Sequence, residues 1–287
     1  MSSNVITPFD PWKSRLCTCP PKMVLSPYVG CGHSCVYCYI TSYIPKAFEP
    51  RPKKQFLERL ERSLSKKIPK EPVELAASSD VYQPLEAVLR LTRGALKLLG
   101  DHDCRVQILT KSDLVLRDAD ILSRGRFSVG MTLTTIMEKV ARKLEPNASS
   151  PSIRVRALQS LTNLGIPTFA RIDPIIPWVN DEEIDQLINA LANAGVRQIT
   201  CSTYKARWDS LSRLSGSFPE IREKLLTAFR EGTQIQRTRY LPKGVRLALM
   251  SMAKHATKDR GIGFATCREG LQYLNSARTC DGTHLIP

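Results

Sequence analysis

Short apolar runs alternate along this chain with longer segments in which apolar positions recur every three or four residues. The runs Met23–Ser26, Val73–Ala77, Cys104–Thr110, Phe127–Leu133, Pro167–Ile172 and Gln198–Ser202 have strand length. Between them, Lys54–Lys67, Pro84–Leu99, Val115–Ser123, Ile136–Leu144, Pro151–Leu164 and Asp181–Ala194 are patterned as amphipathic helices. Local punctuation agrees. The stripe Leu158, Leu161, Leu164 stops at Gly165, with Pro167 beyond it, as a helix C-terminus does. Asn180-Asp181, followed by Glu182, Glu183 and Asp185, places capping groups and acids where a helix dipole favours them. Strand–helix alternation predicts a parallel sheet with helices outside it, and six units predict an incomplete (β/α)6 barrel. Chemistry is then expected at the C-terminal ends of the strands.

After Tyr204 the pattern changes. Lys205–Arg260 reads as helices with basic faces, around Pro219–Arg230 and Val245–Lys258, and a short strand, Gly263–Thr266, leads into a cysteine-bearing tail. The expected layout is an N-terminal segment over 1–22, a partial barrel over 23–204 and a basic, mostly helical extension over 205–287. No flexible linker, repeat or low-complexity tract divides it. No apolar run reaches the ~18 residues that span a bilayer. Met1 to Lys13 lack the basic start and apolar core of a signal peptide. A cytoplasmic protein without a membrane partner is expected.

Charge adds a partner. The 287 residues carry a formal net charge of +15, with ordinary apolar (42%) and charged (24%) fractions that exclude a disordered, collagen-like or coiled-coil chain. Nine basic side chains fall between Lys46 and Lys70, and Lys205–Arg260 carries 13 basic against 5 acidic. Clustered cations favour nucleic acid; the alternative is a basic surface of the thermophile or salt-adapted kind. Tyr204, Trp208, Phe218, Phe229 and Tyr240 lie among these charges, either to stack on unpaired bases or to pack the helices.

Nine cysteines in a long chain with a good core point to metal or redox chemistry rather than a disulfide scaffold. Three form Cys31-Gly-His-Ser-Cys35-Val-Tyr-Cys38, a spacing that random placement would give in roughly one chain in a hundred. Three thiolates on one short loop suit three irons of a [4Fe–4S] cube, leaving the fourth iron open. A zinc site completed by a ligand such as His33 is the alternative.

Cys31-x3-Cys35-x2-Cys38, with Tyr37 before the last cysteine, resembles the radical SAM signature. Ser26-Pro27-Tyr28-Val29-Gly30-Cys31, Asp80-Val-Tyr82-Gln83-Pro84-x-Glu86, Leu109-Thr110-Lys111-Ser112, Arg117-Asp118, Leu144-Glu145-Pro146 and Pro174-Ile-Ile-Pro177 resemble the spore photoproduct lyase-like, or DNA repair photolyase-like, branch. The likeness runs from about Cys17 to Tyr204, with a weaker echo beyond. It implies that S-adenosylmethionine chelates the open iron, that one electron cleaves its sulfonium, and that the resulting 5′-deoxyadenosyl radical abstracts a substrate hydrogen. Ferredoxin or flavodoxin would supply the electron. The catalytic set is Cys31, Cys35 and Cys38.

The resemblance also suggests cofactor contacts. Tyr37 would pack on the adenine. Ser78, Ser79 and Asp80 follow the second strand, where the family meets the methionine amino group, although the common Gly-Gly-Glu is absent here. Lys111 would pair with the methionine carboxylate, or is a solvated charge. Thr132 would touch the ribose or methionine. Arg171 and Asp173 would pair with a ligand or with each other. Glu145-Pro146 is either functional or a helix terminator.

Of the other six cysteines, Cys104 and Cys201 lie on strands as core residues. Cys17, Cys19, Cys267 and Cys280 would form a second Fe–S cluster or a zinc site if the tail folds back. Alternatively they are unpaired thiols, or one donates hydrogen to a radical. The leading expectation is a radical SAM enzyme acting on DNA or RNA by repair or base modification. A second cluster would favour sulfur insertion or methylthiolation. The alternatives are a non-catalytic nucleic-acid-binding protein with structural zinc, and a radical SAM enzyme for a peptide or small metabolite.

Overall fold

The computed structural model describes residues 4–10, 14–75 and 78–287. Residues 1–3, 11–13, 76 and 77 lie outside it, including part of the segment searched for a signal peptide and the end of the expected strand Val73–Ala77. One eight-stranded sheet organises the chain: β1 (Thr7–Pro8), β2 (Met23–Leu25), β3 (Val73–Leu75), β4 (Val106–Thr110), β5 (Phe127–Thr132), β6 (Thr168–Ile175), β7 (Gln198–Thr203) and β8 (Gly263–Thr266). The strands stand in sequence order. β1 is antiparallel to β2, and every later neighbour is parallel. All six expected strands are present, and the sheet is an open, partial barrel.

The helices are α1 (Phe56–Lys66), α2 (Pro84–Leu89), α3 (Leu91–Asp101), α4 (Glu138–Leu144), α5 (Pro151–Asn163), α6 (Ile184–Asn193), α7 (Trp208–Ser217), α8 (Arg222–Arg230) and α9 (Lys243–Lys258), of which α7 and α8 pack with Leu144, Ile176 and Tyr204 in a cluster of their own. The single helix expected over Pro84–Leu99 is two, broken at Arg90, whose φ is +53°. Val115–Ser123 is a 3-10 stretch, Asp113–Asp118, plus one helical turn, Ala119–Leu122. The pattern after Tyr204 concealed α7 and a hairpin, Thr233–Ile235 with Thr238–Tyr240.

The segment read as an extension contributes to the barrel itself. β8 pairs in parallel with β7, and α9 buries Leu249, Met250 and Ala253 in the cluster that holds Ile172, Ile199 and Leu187. Tyr204, Phe218, Phe229 and Tyr240 are buried; of the five aromatics proposed for base stacking only Trp208 is at the surface, 86% exposed. Cys104 and Cys201 are core residues.

The apolar core lies between sheet and helices, so the inside of the barrel is left to polar groups. Glu74, Gln107 and Ser128 stand in register across β3, β4 and β5. The C-terminal tail runs against this layer. Gln107 Nε2 donates to the Asp281 carbonyl at 3.0 Å, Gln198 Nε2 to the Thr279 carbonyl at 3.0 Å, and Thr200 Oγ1 to the Cys280 carbonyl at 2.8 Å. Lys22 bridges the buried carboxylates of Glu74 (2.6 Å) and Asp281 (2.8 Å). Three charges buried together are tolerable because each is paired. The tail thus closes one end of the barrel, and the other end stays open as a cavity.

Candidate active site

The loop bearing Cys31, Cys35 and Cys38 follows β2 and a two-residue pairing of Tyr28–Val29 with Arg51–Pro52. At Gly30, φ is +80° and a Cβ would lie 2.8 Å from the Ala47 carbonyl oxygen, so this turn requires glycine. The same oxygen accepts from the Cys31 amide at 2.8 Å. Buried Gln83 holds the loop from the other side: Oε1 accepts from the Gly32 amide at 2.7 Å, and Nε2 donates to the Gly30 carbonyl at 3.3 Å. Asn147 Nδ2 donates to the Gly32 carbonyl at 2.9 Å, and its own carbonyl lies 3.0 Å from His33 Nδ1. At the far end, Arg213 on α7 donates to the carbonyls of Cys38 (2.7 Å) and Val36 (3.3 Å).

Behind the loop, the segments that resembled the lyase branch resolve into a buried polar scaffold. Tyr28 donates to Glu86, whose carboxylate also accepts from the Thr92 amide (2.9 Å) and Arg117 (2.7 Å). Asp118 accepts from Tyr82 at 3.0 Å and pairs with Arg93 and Arg117 at 2.8 Å each. These residues support the loop and do not face the cavity.

A cavity of about 610 Å³ opens beside the thiols. Each residue expected to ligate the cluster or contact S-adenosylmethionine lines it, as do Cys17, Cys19 and Cys267, while Cys280 is not among its lining residues. The roles differ from the expectation in two places. Asp80 does not present a free carboxylate. Oδ1 accepts from Thr110 Oγ1 (2.7 Å) and the Tyr82 amide (2.9 Å), and Oδ2 from the Lys111 amide (2.7 Å), with His33 Nε2 at 3.2 Å. Burial opposes its charge, but His33, Lys111 and Thr110 outweigh burial and lower its pKa to about 2. Asp80 therefore positions its neighbours. Glu145 is more than a helix terminator: buried, it accepts from Tyr37 Oη and pairs with Arg154, which also donates to the Thr132 carbonyl at 2.7 Å. Burial pushes the Glu145 carboxyl up, but the Arg154 and Lys111 cations hold it below the usual carboxylate range.

Arg171 and Asp173, at the end of β6, form the expected mutual ion pair at 2.7 Å. The Lys111 ammonium lies 6.0 Å from the Tyr37 ring centroid. Burial disfavours its charge, but Cys35, Glu145 and Asp80 raise its pKa above the ordinary value, so it stays cationic. Lys205 and Arg268 also line the wall and were missed. Each sits two residues beyond a strand, β7 or β8, a position that marks barrel functional groups.

Burial pushes the Cys31 thiol up to about 12 and holds Cys35 and Cys38 above the ordinary thiol value. Metal ligation would displace these protons. Among the described residues no three cysteine, histidine or acidic groups already have the spacing of a bound ion. A cube takes one thiolate per iron, so its ligands need not converge on one point. Three thiols from one braced loop on one cavity wall, with the Lys111 cation beside them to balance charge, fit such a cluster.

The family model described as the radical SAM superfamily matches residues 25–191. The chain belongs to the radical SAM superfamily. An uncharacterized Methanocaldococcus jannaschii protein is 34% identical over 166 residues, which cover 56% of this chain and 63% of that relative. An uncharacterized Mycobacterium tuberculosis protein is 24% identical over 79% of this chain and 71% of its own length. Among solved structures, a spore photoproduct lyase mutant with bound AdoMet and dinucleoside spore photoproduct aligns at TM-score 0.68 and 18% identity, covering 89% of this chain and 79% of that one. Streptococcus suis SuiB bound to S-adenosylmethionine aligns at TM-score 0.56 and 13% identity, over 85% of this chain and 49% of that one. At these identities both show the radical SAM fold alone. Among the described residues no helix is long and apolar enough to cross a membrane.

Proposed function

We propose that this chain cleaves S-adenosylmethionine reductively at a [4Fe–4S] cluster held by Cys31, Cys35 and Cys38, and directs the radical at a nucleic-acid substrate, in repair or base modification. The observation that carries the reading is the thiol loop, pinned at both ends and opening onto the cavity at the open end of the barrel. When bound, the reduced cluster and S-adenosylmethionine supply the electron and the radical chemistry; ferredoxin or flavodoxin would deliver the electron.

The chain's own residues bind and orient. Lys111 offers a fixed ammonium for the methionine carboxylate. Tyr37, tied through its hydroxyl to Glu145 and Arg154, holds its ring beside that ammonium. Ser78 and Ser79 offer hydroxyls at the end of β3, and Thr132 lies at the end of β5. The tail behind Gln107 and Gln198 seals the barrel against water from below.

Nucleic acid is favoured by the rim. Lys53, Lys205, Arg207 and Arg268 line the cavity. Burial and then the repulsion of Arg268 and Arg237 lower the Arg207 pKa, which identifies a crowded cationic cluster. A polyanion would relieve that repulsion. Half-exposed Tyr39 and Tyr43 stack on each other near these charges, with ring centroids 6.1 Å apart. Such aromatic faces suit unpaired bases.

The test is anaerobic incubation with dithionite, labelled S-adenosylmethionine and total nucleic acid, followed by nucleoside mass spectrometry. We expect 5′-deoxyadenosine from the parent and none from the Cys31→Ala, Cys35→Ala, Cys38→Ala triple variant. 5′-Deoxyadenosine from that variant would overturn the cluster assignment. Binding of nucleic acid that is weak and insensitive to salt would move the substrate to a peptide or small metabolite. A colourless, zinc-loaded protein after anaerobic purification would support a non-catalytic binding protein instead.

A further inference from the structure

The sheet is open between its first and last parallel strands, β2 and β8, and that opening is where four of the remaining thiols gather. Cys17 and Cys19 lie in the connection from β1 to β2. Cys267 immediately follows β8, its amide bonded to the Cys201 carbonyl at 2.9 Å. Cys280 is on the tail, anchored through its carbonyl to Thr200 on β7. We propose that Cys17, Cys19, Cys267 and Cys280 bind one zinc or ferrous ion in a tetrahedral tetrathiolate site that clasps the open side of the barrel.

Spacing favours a single ion. Cys280 Sγ lies 3.6 Å from Cys19 Sγ. Four sulfurs each about 2.3 Å from a central ion stand about 3.8 Å apart along the edges of a tetrahedron. The Cys19–Cys280 separation is such an edge. A [4Fe–4S] cube gives each thiolate its own iron and spreads the sulfurs further. Among the described residues no three cysteine, histidine or acidic groups already converge on one point; Cys17 and Cys267 line the same cavity as Cys19, and the ion would draw them into the remaining corners.

The surroundings fit as well. Four thiolates on a divalent ion leave two negative charges. Lys22, Arg171 and Arg268 line the same cavity as Cys17, Cys19 and Cys267. Arg268 Nε is a buried donor with no hydrogen-bond partner among the described residues, and a neighbouring thiolate would satisfy it. Core packing does not account for the gathering. Cys17, Cys19 and Cys267 are only half-buried and come from separate segments, whereas the packing cysteines Cys104 and Cys201 are fully buried.

The test uses the full-length Cys31→Ala, Cys35→Ala, Cys38→Ala variant, which lacks the first site, so the result is independent of the proposed catalysis. Anaerobic titration with cobalt(II) should bind one equivalent per chain, with thiolate-to-cobalt charge transfer and tetrahedral visible bands that zinc abolishes. Adding Cys19→Ser or Cys280→Ser should weaken binding at least tenfold. Adding Cys267→His, which keeps a ligand, should retain the equivalent with shifted bands. Absence of the equivalent in the triple variant overturns the proposal. So does acid-labile sulfide after iron reconstitution, or a Cys19–Cys280 disulfide in the anaerobic parent. If the serine variants do not fold, the cobalt spectrum of the histidine variant decides: unshifted bands exclude Cys267 as a ligand.

Discussion

Arg213 donates to the carbonyl oxygen of Cys38 at 2.7 Å, across 175 positions of sequence. The last thiol of the loop is therefore held by α7, which lies beyond the region matched by the family model. Asp209 one turn earlier pairs with the same guanidinium at 3.1 Å and fixes its direction. Arg213→Ala should cost about 1.5–3 kcal/mol of loop ordering, the range for a charge-assisted bond. The expected outcome is iron content several-fold below the parent after identical anaerobic reconstitution, with an unchanged circular dichroism spectrum. Full iron loading would show that α7 does not support the loop.

Lys111→Ala should weaken S-adenosylmethionine binding by about tenfold or more while the cluster is kept, because a charge-assisted contact to a carboxylate is lost. Equilibrium binding to reconstituted protein, with iron measured on the same sample, checks this. Unchanged affinity at full iron content would remove Lys111 from the cofactor site.

Glu145 and Arg154 form a buried pair whose members each have a second task, at Tyr37 and at Thr132. Arg154→Met strands a buried carboxylate and should destabilise the fold by about 3–5 kcal/mol. Adding Glu145→Gln should recover part of that loss. Urea denaturation of the two single variants and the double variant reads the coupling, and strict additivity would contradict it.

Arg237, exposed beside Arg207, and Trp208, on the surface at the start of α7, test the rim. Arg237→Ala should lower the slope of log affinity against log salt by about 0.7–0.9, one phosphate contact. Trp208→Ala should weaken single-strand binding by about 1–3 kcal/mol if a base stacks there. Fluorescence anisotropy over a salt series measures both.

A Cβ on Gly130 would stand 2.2 Å from the Phe169 ring, which also meets Gly282 of the tail. Gly130→Ala should destabilise by about 1–3 kcal/mol through overpacking inside the barrel. A matching loss of tail protection in hydrogen exchange would show that the ring transmits the strain to the tail.

Periodicity revealed all six expected strands because short runs of strand length, whose core-facing apolar residues alternate with polar ones turned into the barrel, lie between helices that carry a regular stripe. It failed where one pattern can serve two conformations. The Pro84–Leu99 stripe continues through Arg90, and nothing in its spacing marks the αL residue there. β8 is only four residues long, so its membership of the sheet depends on a partner set by α9 rather than on its own pattern. The cysteine triplet was legible as a motif because its three thiols share one short loop, which the structure places on the cavity wall. Arg213, Lys205 and Arg268 were not, since a lone cation acquires its role only when folding brings it to Cys38 or to the cavity wall. Asp80 shows the reverse: its residue type and place suggested a ligand contact, and in the structure three hydrogen-bond donors and the nearby His33 ring already surround its carboxylate at the cavity wall.

The order of the strands has a temporal side. Because the sheet is laid down in the same direction as the chain is made, Cys19 and the loop of Cys31 emerge from the ribosome first. Arg213 follows much later, and Cys280 trails Cys19 by 261 positions. At roughly 5–20 residues per second that interval is on the order of tens of seconds. Throughout it the nascent chain displays its early thiols in water, without the clamp on Cys38 and without the tail that closes the barrel. The brace on Cys38 is thus completed only once α7 has been made, late in the chain's synthesis.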